Sequence, residues 1–225
     1  MVDLSAIMIK GCIFDIGGTL VKTDEALLKA IKMSLRKNGL IPPPDKFIIS
    51  HFGASSHNNI KKNVERVYSG KNLGYMIKKC YKEYKKIFPK RVIKFFQVFP
   101  NAENTLSELK KRNIKIACQT GFSKNEAESI LEYFDLMKYF DILITADDVK
   151  RFRPHPEAML LTLKKMGIKR KECFYIGDTI KDIEFAKNSK VKIVCVTTGV
   201  QSNKDLEKLE PDFLIDDISE MLKLI

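Results

Sequence analysis

The chain has no tryptophan and only three histidines in 225 residues. So few imidazoles leave little material for a histidine-rich metal centre. The five cysteines (Cys12, Cys80, Cys118, Cys173 and Cys195) contain no C-x-x-C pair, which removes the usual zinc-ribbon and thioredoxin-type spacings. Four of them, all but Cys80, stand in apolar strand-like runs, so they are expected to be small buried hydrophobes in a reducing cytoplasm. No apolar run approaches the ~20 residues that a membrane helix needs, and no membrane partner is expected. The opening Met1-Val2-Asp3-Leu4 lacks the basic and apolar regions of a signal peptide. Met8 precedes the first apolar run, so Met1 to Ile7 read as an extension.

Acidic residues are also scarce, 28 against 40 basic ones, which sets the formal charge at +12. Such an excess could serve nucleic acid or anionic substrates. The lysines are spread along helix faces, as at Lys78, Lys79, Lys82, Lys85 and Lys86, without interleaved aromatic stacking motifs. The excess therefore reads as a solvated surface that also suits a small phosphorylated substrate, not a nucleic acid. The length fits one core with a modest insertion, as a monomer or a homodimer.

What is there is organised around Cys12-Ile13-Phe14-Asp15-Ile16-Gly17-Gly18-Thr19-Leu20. An apolar run, an acid, a glycine turn and a helical pattern describe a strand over 7–15 that delivers Asp15 to the lip of a parallel sheet, where ligands of open α/β folds bind. Leu27 to Leu35 has helical spacing and stops at Asn38-Gly39, before Pro42-Pro43-Pro44. From Asp45 to Phe96 the pattern stays helical, too long for a plain crossover. Helices are then predicted over 102–111, 125–134, 156–166 and 180–188. Strands are predicted over 114–119, 140–145, 172–176, 191–196 and 212–215. Ser123 and Glu126 spell a capping box. The alternation predicts a Rossmann-like, doubly wound parallel α/β sheet. Its core is residues 1–21 and 97–225, and residues 22–96 form an inserted helical cap.

Polar groups recur where these strands end: Thr120-Gly121, Arg153 and Asp178. Alone, Thr120 or Asp178 reads as a helix cap and Arg153 as a surface charge. Together they meet the needs of phosphoryl transfer. Asp15 can attack phosphorus as a nucleophile. Asp15 and Asp178 can ligate Mg²⁺. Arg153, Thr120 and the Gly121 amide can hold phosphate oxygens.

In these residues the chain resembles the haloacid dehalogenase superfamily, in the branch with a helical cap after the first strand. Asp15-Ile16-Gly17-Gly18-Thr19 is similar to its D-x-D-x-T motif and Gln119-Thr120-Gly121 to its second motif. Arg153-Pro154-His155-Pro156 is similar to its G-K-P-x-P motif, and Gly177-Asp178-Thr179-Ile180-Lys181-Asp182 to G-D-T-x-x-D. The resemblance implies that Asp15 is nucleophile and metal ligand. The carbonyl of Gly17 and the carboxylate of Asp178 would complete the protein ligands, and Asp182 would support the metal or reach it through water. Thr120 and Gly121 would hold the phosphate, with Arg153 bridging it to the nucleophile.

Gly17 departs from the pattern. The second Asp of D-x-D-x-T protonates the leaving group in the family's phosphatases, and general acid–base help is worth ~10²–10⁴-fold. Asp24, Asp147, Asp148, His51 and His57 are the candidate substitutes. A small residue at 17 with Arg153-Pro154-x-Pro156 also resembles the phosphonoacetaldehyde hydrolases, which cleave a C–P bond through a cap lysine. Here Ser56 falls roughly where that lysine belongs. Two further readings stand beside a phosphatase: a sugar kinase of the actin-like fold, and a regulatory protein with little turnover. Lys22, His51, Ser55, Ser56 and Lys61 are the candidate specificity contacts of the cap.

Overall fold

The computed structural model describes residues 8–88 and 92–225. The suggested extension over Met1 to Ile7 and the first residue of the expected 7–15 strand lie outside them. Strand β1, Gly11–Phe14, is buried along its whole length. It pairs in parallel with β4, Lys115–Gln119, on one side and β6, Cys173–Gly177, on the other. With β5 (Ile142–Ile144), β7 (Lys192–Val196) and β8 (Phe213–Ile215), the order across the sheet is β5-β4-β1-β6-β7-β8, parallel throughout. The chain winds outward from β1 to β5, then returns to β6 and winds the other way to β8. The carboxyl ends of β1 and β6 therefore flank the point where the winding reverses, which is where such sheets open a crevice.

Alternation along β1 divides the core. Cys12 and Phe14 join one apolar cluster and Ile13 the other. The first cluster includes Leu106 and Leu109 of α5 (Ala102–Lys111) and Ile130 and Leu131 of α6 (Lys124–Tyr133). The second includes Met159 of α7 (Glu157–Met166), Phe185 of α8 (Ile180–Ser189) and Leu206 of α9 (Asn203–Glu207). Helices thus cover both faces, as the strand–helix alternation predicts. Gly167, with φ of 66°, ends α7 in the left-handed conformation that suits glycine.

Four helices follow the first strand: α1 (Asp24–Arg36), α2 (Asp45–Ile49), α3 (Ser56–Val67) and α4 (Leu73–Ile87). Asp24 and Glu25 in the first turn and Arg36 in the last complement the dipole of α1. Past it, Gly39 turns the chain out at φ of 75°. α4 packs on both α1 and α3. The sequence reading places no strand next to the glycine turn, yet β2 (Val21–Lys22) leads into these helices and β3 (Gln97–Val98) leads out, paired antiparallel. Two residues carry no visible period, which is why the pattern misses them. Tyr84 and Phe88, at the end of α4, stack toward the sheet through Phe96 and Phe122, with ring centroids 5.7–5.8 Å apart. Among the described residues no helix is long and apolar enough to cross a membrane.

Candidate active site

Asp15 follows β1 and its backbone N–H still donates to Ile176 of β6, at 2.9 Å. The sheet ladder thus fixes where the carboxylate emerges. Gly18 then turns at φ of 83°, and a Cβ there would lie 2.1 Å from Asp178 Oδ2. Only glycine lets the turn pass so close to that carboxylate. Thr19 donates its hydroxyl to Asp178 Oδ1 at 3.0 Å, and Thr198 donates to the carbonyl of Gly18 at 2.6 Å. Thr120 N–H donates to Ile144 at the end of β5, while its Oγ1 accepts from Phe122 N–H.

Arg153 is the centre of the arrangement. It is buried, its NH2 donates to Asp15 Oδ1 at 3.0 Å, and its NH1 donates to Tyr175 Oη at 2.7 Å and to Asp182 Oδ1. Its Nε is buried without a partner. Tyr175 in turn donates to Asp182 Oδ1 at 2.7 Å, and Asp182 Oδ2 accepts from Thr179 N–H at 3.0 Å and from Thr179 Oγ1 at 2.6 Å. Asp182 is thus both the third residue of a capping box on α8 and an ion-pair partner. Burial pushes the Asp15 carboxyl up to about 6, against the pull of Arg153. Burial, then Asp182 and Asp15, push Asp178 up as well.

Oxygens of Asp15, Asp178 and Asp182 lie within 4.8 Å of one another. Three buried carboxylates stand near one guanidinium, which bonds only Asp15 and Asp182 among them, so the all-oxygen donor set is short of positive charge. That chemistry fits a hard dication such as Mg²⁺. Asp182 has both oxygens engaged, so Asp15 and Asp178 are the better placed to ligate.

One small cavity, about 60 Å³, opens over these groups. Asp15, Gly17, Thr120, Gly121, Arg153 and Asp178 all line it, while Asp182 lies behind Arg153. From the helical segment come Thr23, Asp24, Leu27, Ile31, Phe52, Gly53, Ala54, Ser56, Asn59 and Tyr84. The 52–56 loop touches the sheet side through backbone. Ser56 N–H donates to Gly121 at 3.1 Å, Lys181 Nζ donates to the Phe52 carbonyl at 2.8 Å, and a Cβ on Gly121 would meet Ala54 O at 2.7 Å.

Of the substitutes considered for a carboxylate at 17, only Asp24 reaches the cavity. Asp147 instead accepts from Lys124 N–H and Asp148 from Thr145. The ring of His51 is bonded to Phe47 O, and His57 packs edge-on against Tyr81. Of the five specificity candidates only Ser56 lines the cavity. Lys22 is exposed, Ser55 caps α3, and Lys61 faces Glu65 at 3.8 Å. No lysine side chain lines the cavity among the described residues, so the C–P hydrolase reading finds no amine there. Tyr175 and the cavity wall escape the sequence reading, because nothing local marks them. Glu126 is read only as a cap, yet it is a buried carboxyl whose pKa burial raises, partly offset by Ser123, Ser56 and Tyr84 hydroxyls.

Replacing Arg153 strands two buried carboxylates. Arg153→Met is expected to lower stability by about 3–5 kcal/mol, measured by urea unfolding. Arg153→Lys is expected to lose less, since one ammonium keeps the charge but cannot fork between Asp15 and Asp182.

Comparison with known proteins agrees with this geometry. The model of the haloacid dehalogenase-like hydrolases matches residues 12–196. A pyrophosphatase PpaX from Bacillus cereus is 25% identical over 213 residues, covering 95% of this chain and 94% of its own. A phosphoglycolate phosphatase from Nitrosospira multiformis is 24% identical over 217 residues, covering 96% of each chain. Among solved structures, a haloacid dehalogenase-like family hydrolase from Streptococcus pneumoniae superposes with a TM-score of 0.79 at 20% identity. That match covers 96% of this chain and 98% of the other. Strand order and these matches coincide, and the chain belongs to the haloacid dehalogenase-like hydrolase family.

Proposed function

We propose that this hydrolase is a Mg²⁺-dependent phosphatase of small phosphorylated metabolites that works through an aspartyl-phosphate at Asp15. The observation that carries the reading is the meeting of Asp15, Asp178 and Arg153 where the winding of the sheet reverses, with Arg153 3.0 Å from Asp15. Relatives named as pyrophosphatase and phosphoglycolate phosphatase support phosphate chemistry. Asp15, Asp178 and the Gly17 carbonyl would hold Mg²⁺. Bound there, the metal would neutralise phosphoryl oxygens so that a carboxylate can approach phosphorus.

An Asp15 oxygen attacks phosphorus, and the bond to the leaving oxygen breaks with its electron pair on that oxygen. Water then attacks phosphorus, releasing inorganic phosphate and the free Asp15 carboxylate. Thr120 and the Gly121 amide hold phosphoryl oxygens. Arg153 Nε, which has no protein partner, is free to donate to another. Tyr175 and Asp182 keep the guanidinium in place. Residues 22–96 act as a cap over the core formed by 1–21 and 97–225, and the 52–56 loop excludes water from the site. Five free cysteines, all buried, support a reducing cytoplasm.

Gly17 favours a second reading, a member of the family kept for binding with little turnover. Aryl phosphates separate the two, because their leaving groups need no acid. Purified wild type is expected to release phosphate from them with Mg²⁺, and Asp15→Asn to fall to background; equal inertness of both proteins sinks the enzyme reading. Independently of turnover, Mg²⁺ should raise the unfolding temperature of wild type and leave Asp178→Asn unmoved. A Cβ at 17 would lie 2.9 Å from Thr23 Oγ1 and 3.5 Å from the Phe122 ring. Thr23 must therefore shift to admit a side chain. Gly17→Asp is expected to raise alkyl phosphate hydrolysis by ~10²–10⁴-fold and aryl phosphate hydrolysis much less. No gain in the alkyl series means that another group already supplies the proton.

A further inference from the structure

The cavity lining combines the charged Asp15, Asp178 and Arg153 with the apolar Leu27, Ile31 and Phe52, and with Ser56 and Asn59 as neutral polar groups. Arg153 is the single cation on the lining among the described residues, and both of its terminal nitrogens already bond protein groups. Among the described residues Asp24 is the one charged group that the helical segment contributes to the lining, and it is acidic. With the charge of a bound dication set against Asp15, Asp178 and the phosphoryl oxygens, an anion carried on the leaving group would lose water here without gaining a countercharge from the described lining, which is costly. Position 17, meanwhile, presents no proton donor to the leaving oxygen.

These two observations select on different properties. Missing positive charge disfavours leaving groups that are anionic. A missing acid disfavours leaving oxygens that need a proton to depart. We infer that the substrate carries a small, uncharged leaving group that departs unprotonated, an enol or a phenol, instead of the alkyl or anionic leaving groups of phosphoglycolate and pyrophosphate. The inference rests on the phosphatase reading and narrows it. In the step it concerns, the P–O bond breaks, its electron pair stays on the enol or phenol oxygen, and that oxygen takes a proton from solvent after it departs. Asn59 can bond a neutral oxygen of the leaving group, and Leu27 and Phe52 cover its apolar part.

The test is a set of four phosphates that varies one property at a time, on wild-type protein with Mg²⁺. Vinyl phosphate is an uncharged enol ester, and phosphoenolpyruvate adds a carboxylate to it. Ethyl phosphate is an uncharged alkyl ester, and phosphoglycolate carries a carboxylate in place of its methyl group. Vinyl phosphate is expected to have the highest kcat/KM. It should exceed ethyl phosphate by roughly 10²-fold or more and phosphoenolpyruvate by about tenfold or more. Phosphoglycolate or phosphoenolpyruvate matching its uncharged partner overturns the charge half of the inference. Ethyl phosphate matching vinyl phosphate overturns the other half and points to Asp24 as a proton donor. Either result leaves the phosphatase reading standing. Inertness toward all four and toward phenyl phosphate overturns both.

Discussion

The structure depends on one buried guanidinium. Arg153 is forked between Asp15 and Asp182, and Tyr175 closes the arrangement by bonding both Arg153 and Asp182. Charges this deep are tolerated only when every one of them is paired and hydrogen-bonded. The residues that pair them come from the ends of β1 and β6, from α8 and from the segment before α7. Each of those elements must sit where it does for the charges to be compensated, so the fold and the site are specified together. Even so, three carboxylates against one cation leave the balance incomplete. This is why the donor set suits a dication; burial first, and then the neighbouring carboxylates, lift the carboxyl groups of Asp15 and Asp178.

A second layer of the design is contact without side chains. Gly18 passes beside Asp178, and Gly121 beside Ala54, at distances a Cβ would forbid. Gly53, at φ of 78°, approaches Thr179 in the same way. The glycines bring the turn after β1, the turn after β4 and the 52–56 loop to one point, leaving a small space above the acid cluster. Gly17 differs from them. Its φ is not left-handed, and the nearest obstacle to a Cβ there is the Thr23 hydroxyl, at 2.9 Å, so a shift of one side chain separates this position from one that could carry a carboxylate.

Much of this was legible in the residues. Asp15, Thr120 and Asp178 announce themselves because each ends an apolar run, and a run of that length in an alternating pattern is a buried parallel strand. The Ser123–Glu126 capping box is legible for the same reason, since its physics is local. What stayed hidden depends on contacts between distant parts of the chain. The β2–β3 pair joins residues too few to show a period. Tyr175 looks like any inward residue of β6 until Arg153 and Asp182 are seen around it. His51 and His57 attract notice by type, yet the structure gives both local partners. The cavity wall is set by how α1, α3 and α4 settle on the sheet, which no single segment encodes.

The tie between Lys181 and the carbonyl of Phe52 reaches further than the closing of one loop. It grips a main-chain atom, as Ser56 N–H grips Gly121. Neither bond reads the identity of a side chain in the loop. Gly53 apart, whose turn and close approach to Thr179 require glycine, the loop can therefore change its side chains while the core keeps holding it in the same place. A scaffold that fastens a loop by backbone separates two things that selection would otherwise have to alter together, where the loop sits and which side chains it presents.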